Sequence, residues 1–170
     1  MAALTQDQKT IRYGAPGNST QPQNLGITAS ATVYRGSLAS TRSGYLVAAS
    51  TPQSTDICWG VIDKYGPGFA DTGPGLVGGS TNGGVTAEVA TGSFFMQNGT
   101  GADAFAAANV GATAYVQNDT TMALTNGIKT RPVGGEFLGL ASTLAPNRPD
   151  LTGMIAVKIG PTAGNTGGPS

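Results

Sequence analysis

VTAEVATGSFFM, residues 85–96, carries the clearest strand signal in the chain. Val85, Ala87, Val89 and Thr91 alternate with Thr86, Glu88 and Ala90, so an extended backbone presents one mostly apolar side and one mixed side. Gly92 permits a bend or bulge, after which Phe94 and Phe95 point to opposite faces and require apolar cover on both. The stretch therefore reads as a half-buried strand that bends into the centre of a β core. It supplies no nucleophile, general base or metal ligand set, so its role is packing.

The flanking segments support the same class. Upstream, Ala31–Tyr34, Ser37–Ala39 and Tyr45–Ala48 are short apolar runs separated by Gly36 and Ser43-Gly44. ICWGVI, residues 57–62, reads as a compact buried strand interrupted by Gly60, with Trp59 in the core. Downstream, Ala114–Gln117 and Met122–Leu124 flank Asn118-Asp119 as a hairpin, closed by Asn126-Gly127. Phe137–Ala141 and Met154–Ile159 supply two more strands, the last alternating as a barrel-closing strand should. The one helix signal is Asp103 as a cap before Ala104–Ala108, with Gly111 as its stop.

Organisation follows from where these patterns begin and end. Residues 1–26 are polar and without apolar periodicity, which predicts an extended arm with Ile11 and Tyr13 as its anchors. Residues 27–160 form the β core domain. Within it, residues 64–84 are rich in glycine and predict a long loop that offers Tyr65, Phe69, Leu76 and Val77 to a partner. Residues 161–170 read as a flexible, low-complexity tail.

Composition narrows the function. With 39% hydrophobic and only 11% charged residues, the 170-residue chain can bury one domain core yet shows few charges to water. Nine Lys plus Arg balance nine Asp plus Glu, which leaves no electrostatic case for direct binding of nucleic acid or an anionic membrane. Low repulsion favours association with other protein surfaces. The absence of histidine removes His-based acid–base chemistry, Ser-His and Cys-His nucleophile pairs and imidazole metal sites. Cys58, alone among apolar neighbours, reads as a small buried thiol. The N-terminal MAALTQDQKT has no apolar run of signal-peptide or membrane-span length, so the protein is expected to be neither secreted nor anchored.

The remaining chemical candidates have structural explanations. Asp56 and Asp63 flank ICWGVI at opposite ends of one strand, too far apart for a working carboxylate pair, and read as solvated strand-end residues. Glu88 reads as exposed. Lys129 and Arg131 read as a solvated loop, since two charges with no interleaved aromatics do not make a nucleic-acid surface. Gly73-Pro74-Gly75-Leu76-Val77-Gly78 fits GxGxxG, but no helix can open after it, so it does not read as a dinucleotide cradle.

The order of several weak motifs is more specific than any one of them. LTQDQKTIRYG (4–14), TASATVYRGSLAS (28–40), VTAEVATGSFFMQN (85–98), ANVGATAYVQNDTTMALTNG (108–127), GEFLGLASTL (135–144) and MIAVKIG (154–160) together resemble the head decoration, or capsid cement, proteins of tailed bacteriophages. The long glycine-rich loop and the C-terminal tail depart from that pattern. The resemblance implies a small β-barrel or β-tulip-like domain that is not an enzyme, with no cofactor and no catalytic or metal-binding residues. It further implies a virion protein, made in the host cytoplasm, on the outer capsid surface. Its partners would be the major capsid protein and other copies of itself, as a homotrimer or alternatively a dimer. The arm and the loop would make the contacts, through Lys9, Ile11, Arg12, Tyr13, Tyr65 and Phe69. Two alternatives stand beside it: a receptor- or carbohydrate-binding module displayed on a virion, stacking on Trp59, Tyr65 or Phe69, and a tail-tube or baseplate subunit.

Overall fold

The computed structural model describes residues 4–8, 11–13, 22–65 and 73–161, with residues 64 and 65 described by their backbone alone. In chain order the strands are β1 (Gln23–Gly26), β2 (Thr32–Val33), β3 (Leu38–Arg42), β4 (Tyr45–Val47), β5 (Ile57–Tyr65), β6 (Leu76–Val77), β7 (Thr86–Ala90), β8 (Gly92–Asn98), β9 (Thr113–Val116), β10 (Thr121–Ala123), β11 (Val133–Leu140) and β12 (Met154–Ile159). A single turn of α-helix, α1 (Ala141–Leu144), follows β11. The fold is mainly β, as the alternation predicts.

The VTAEVATGSFFM stretch is the joint between two β units. Its first half, β7, belongs to a five-stranded sheet of order β1-β7-β5-β3-β4; its second half, β8, belongs to a closed barrel of order β10-β8-β12-β11-β9. The chain crosses from one to the other at Thr91-Gly92, where the expected bend occurs. The sheet itself curls until its edges meet: Ile27, just past β1, makes a parallel bridge to Leu46 in β4, and the Thr28 N–H donates to the Leu46 carbonyl at 2.9 Å. The β2–β6 ribbon completes this half, around a core of Ile27, Val33, Leu46, Ile62, Leu76 and Val89.

Register explains why adjacent phenylalanines need separate cores. Phe94 opposes Val157 and Met96 opposes Ile155, and these four face the barrel interior with Phe137 and Met122. Leu38, Cys58, Val61 and Ala90 of the curled sheet join the same cluster, so the outer face of one unit packs against the core of the other. Phe95 opposes Ala156 on the outside of the barrel, covered by Ala141 and Leu151. Each fully buried Phe contributes about 1.5–3 kcal/mol through burial of its ring. Close strand approach fixes Gly60 in β5, because a Cβ there would lie 2.1 Å from the Ala90 carbonyl oxygen.

Four expectations are corrected. The helix predicted at residues 103–108 is absent: short 3-10 turns at Gly101–Asp103 and Ala107–Asn109 bracket extended backbone. Phe105 is drawn into the barrel core beside Phe137, ring centroids 4.6 Å apart, and the Asn98 side chain bonds both its N–H and its carbonyl. The strand read to end at Ala141 ends at Leu140, and the helical turn begins there. The 64–84 loop is shorter than read, since residues 64–65 finish β5 and Leu76–Val77 pair with Thr32–Val33. Within the segment read as an arm, Gln23–Gly26 form β1 against β7.

Candidate functional site

Of the residues expected to contact a partner, Lys9 and Phe69 lie outside the described residues, and Tyr65 is the last residue of β5, opposite Ala87. The remaining three, Ile11, Arg12 and Tyr13, sit together on β8. Along its length β8 pairs with β12, but on its other edge β10 reaches only Gln97 and Asn98. Residues 11–13 occupy the open stretch. Arg12 opposes Phe94 in an antiparallel bridge, the Tyr13 N–H donates to the Ser93 carbonyl at 2.8 Å, and the Ile11 carbonyl accepts from the Phe95 N–H at 2.9 Å.

Alternation then decides what each side chain does. Ile11 and Tyr13 turn onto the barrel exterior and pack in the Phe95 cluster, Tyr13 meeting Phe95 edge-on at 5.3 Å and 75°. Arg12 points the other way, over the Phe94 ring at 5.5 Å and to Asp63 at 2.8 Å. Asp63 reaches it because β5 bulges against β7 between Ile62 and Lys64, leaving Asp63 unpaired in the ladder. The carboxylate read as solvated is thus an anchor for the N-terminal segment.

Two further contacts hold residues 4–8. The Asp7 carboxylate accepts from the Arg35 N–H at 2.9 Å while the Gln8 N–H donates to the Arg35 carbonyl. The Leu4 N–H donates to Asp119 at 3.0 Å. Asp119, in the β9–β10 turn, is buried; burial pushes its carboxyl above the usual carboxylate range, opposed by the N–H groups of Leu4, Ser50 and Ala49 that bond it. A cavity of about 190 Å³ lies beside the segment, lined by Gln8, Ile11, Phe95, Met96, Gln97 and Met154 among others.

Asp56 and Arg131 are committed to ion pairs elsewhere. Asp56, read as solvated, is buried and holds Arg42 through both oxygens, at 2.7 and 2.8 Å. Arg131, read as part of a solvated loop, is partly buried and grips Asp103 at 2.8 and 3.0 Å. Hydrogen bonds from Arg131, then from the Thr125 hydroxyl, hold the Asp103 carboxyl below its ordinary value. Burial pushes the Cys58 thiol up to about 12, which leaves it inert at neutral pH. Trp59 packs against the curled-sheet core and its indole N–H donates to Thr41 Oγ1 at 2.8 Å, so it is not a free stacking platform.

Comparison of the chain with protein-family models, with curated proteins and with solved structures finds no match. The site is therefore read from its own geometry. That geometry is an extended three-residue segment received on an open barrel edge, beside a cavity of mixed lining. The pairings of Asp63, Asp119, Asp103 and Arg131 are what the sequence did not reveal, because each joins residues 28 or more positions apart.

Proposed function

We propose that this chain is a capsid decoration protein, which binds the outer surface of a tailed-phage head and bridges neighbouring major capsid protein subunits. The observation that carries the reading is the Ser93–Phe95 edge of β8, paired by residues 11–13 from a remote part of the chain. Pairing at a sheet edge is how an extended segment of one polypeptide binds the sheet of another. Both halves of such a contact, an extended segment and a receiving edge, are present here, met within one chain. Many copies, each burying a modest interface across a seam, hold a shell through multivalency.

The docked segment changes how the reading is tested. Ile11 and Tyr13 cover Phe95, so removing residues 1–20 uncovers the core as well as removing a contact. Removing residues 1–8 spares that cover. Electron cryomicroscopy of heads lacking a decoration protein, incubated with the full chain, should show density over the seams between shell subunits. The 1–8 deletion should bind with reduced occupancy. Density on the tail tube or baseplate, or none on the head, overturns the reading.

A further inference from the structure

Asn-Gly occurs three times in the chain, at 82–83, 98–99 and 126–127. The dipeptide carries a reaction of its own, because the glycine nitrogen, with no side chain to shield it, can attack the carboxamide carbon of the preceding asparagine. Whether it does so in a folded protein depends on how the fold engages that nitrogen and that carboxamide.

Two of the three pairs are held. The Gly83 N–H donates to the Ile27 carbonyl at 2.9 Å, and the Asn82 side-chain oxygen accepts from the Ala29 N–H at 2.8 Å. The Gly99 N–H donates to the Met122 carbonyl at 2.9 Å, while both ends of the Asn98 carboxamide are bound to Phe105. Neither side chain can swing onto the next nitrogen with these bonds in place, so reaction there waits on local opening.

Asn126-Gly127, in the turn between β10 and β11, differs. Gly127, Ile128 and Lys129 run left-handed at φ of 58°, 60° and 64°, and a Cβ on Gly127 would lie 2.8 Å from Thr130 Oγ1. The turn therefore demands glycine at 127. The Thr130 and Arg131 N–H groups both donate to the Asn126 carbonyl at 3.1 Å, which fixes the backbone, but among the described residues the Gly127 N–H has no acceptor. The Asn126 carboxamide is held by one long bond, from the Lys129 N–H to Oδ1 at 3.2 Å. That donor draws charge onto Oδ1 and leaves the carboxamide carbon more open to attack. Asn126 and Gly127 are only part-buried and residues 128–130 are exposed, so water and hydroxide reach the turn.

We propose that this turn makes Asn126, of the three, the site of spontaneous deamidation as the folded protein ages. Hydroxide removes the Gly127 amide proton, the nitrogen bonds to Asn126 Cγ, and the carboxamide nitrogen leaves as ammonia, taking a proton from water. Water then opens the five-membered imide at either carbonyl, giving an aspartate or, with the backbone rerouted through Cβ, an isoaspartate. The steps consume water alone. The chain, with nine basic and nine acidic residues, passes from zero formal net charge to one negative, placed in the turn that carries Lys129 and Arg131. Nothing in this chemistry depends on a shell subunit, so it stands or falls apart from the decoration reading.

Mass mapping with fragmentation, on the full chain incubated folded for days at mildly alkaline pH, tests it. Amide-to-acid conversion should appear at Asn126 at least about tenfold faster than at Asn82 or Asn98, whose nitrogens must first be freed by local opening. Transfer of a labelled methyl group by an isoaspartyl methyltransferase should mark position 126. In concentrated urea, with the turn unfolded, the lead of Asn126 should disappear. Conversion at Asn126 that is no faster than at the other two in the folded chain overturns the proposal. So does a lead that persists unchanged in urea, since neighbouring sequence and not the turn would then set it.

Discussion

Residues 11–13 and residues 127–129 are two short departures from the β framework, and they treat apolar side chains in opposite ways. In the first, Ile11 and Tyr13 rest on Phe95, while the backbone completes an open stretch of β8 in ordinary extended geometry. In the second, Ile128 stands in solvent on a left-handed backbone that its neighbours hold in place. An apolar residue within a polar segment therefore does not by itself mark a partner contact. The first kind closes the molecule on itself; the second presents a side chain outward at a cost to the fold.

Substitutions should separate the two regions by size and sign. Phe95→Ala removes the surface on which Ile11 and Tyr13 rest and should cost about 3–5 kcal/mol in chemical denaturation. Trypsin should then cut after Arg12 in the folded protein, whereas the left-handed turn stays protected. A Phe95→Ala chain with Arg12 still protected would mean the segment is held by its backbone bonds alone.

Asp103→Asn acts on the other region. It weakens the clamp on Arg131 and should cost about 1.5–3 kcal/mol, the worth of hydrogen bonds to a charged group. The effect has a pH signature. Because the folded-state value of Asp103 is depressed, its contribution is present above the ordinary carboxylate pKa and is lost as pH falls through the folded value. The stability gap between unaltered protein and Asp103→Asn should therefore narrow on acidification below that range, read from urea midpoints. Asp119, whose folded value is raised, has the opposite sign: it costs stability near neutral pH and returns it as pH falls through that raised value.

The two smallest effects complete the comparison. Ile128→Gly should stabilise the monomer by about 1 kcal/mol, through relief of a left-handed β-branched residue. Arg12→Ala should cost about 1 kcal/mol or less, since its pair with Asp63 lies at the surface with the Arg12 side chain 37% exposed. Thermal unfolding measures both; a destabilised Ile128→Gly would show that the turn needs its side chain for folding.

Period-two alternation made the framework legible. β8, the β9–β10 hairpin and β12 fall where alternation and turn chemistry put them, and even the change of unit at Gly92 is signalled by a glycine between two strand patterns. Local propensity failed where a distant partner overrode it. Ala104–Ala108 looks helical in isolation, yet Asn98 and the barrel core pull Phe105 into extended backbone. The site was legible only as a list of residues. That Arg12 would face Asp63 depends on a bulge in β5, and that Ile128 would stand at the tip of a left-handed turn depends on Arg131 being held by Asp103, which lies 28 positions before it.

The most direct test of shell stabilisation is the temperature at which DNA escapes from purified heads lacking a decoration protein, measured before and after saturation with this chain. The expected result is a rise in that temperature that saturates at a fixed number of copies per head. No rise, with the protein folded and in excess, would contradict a role in holding the shell together.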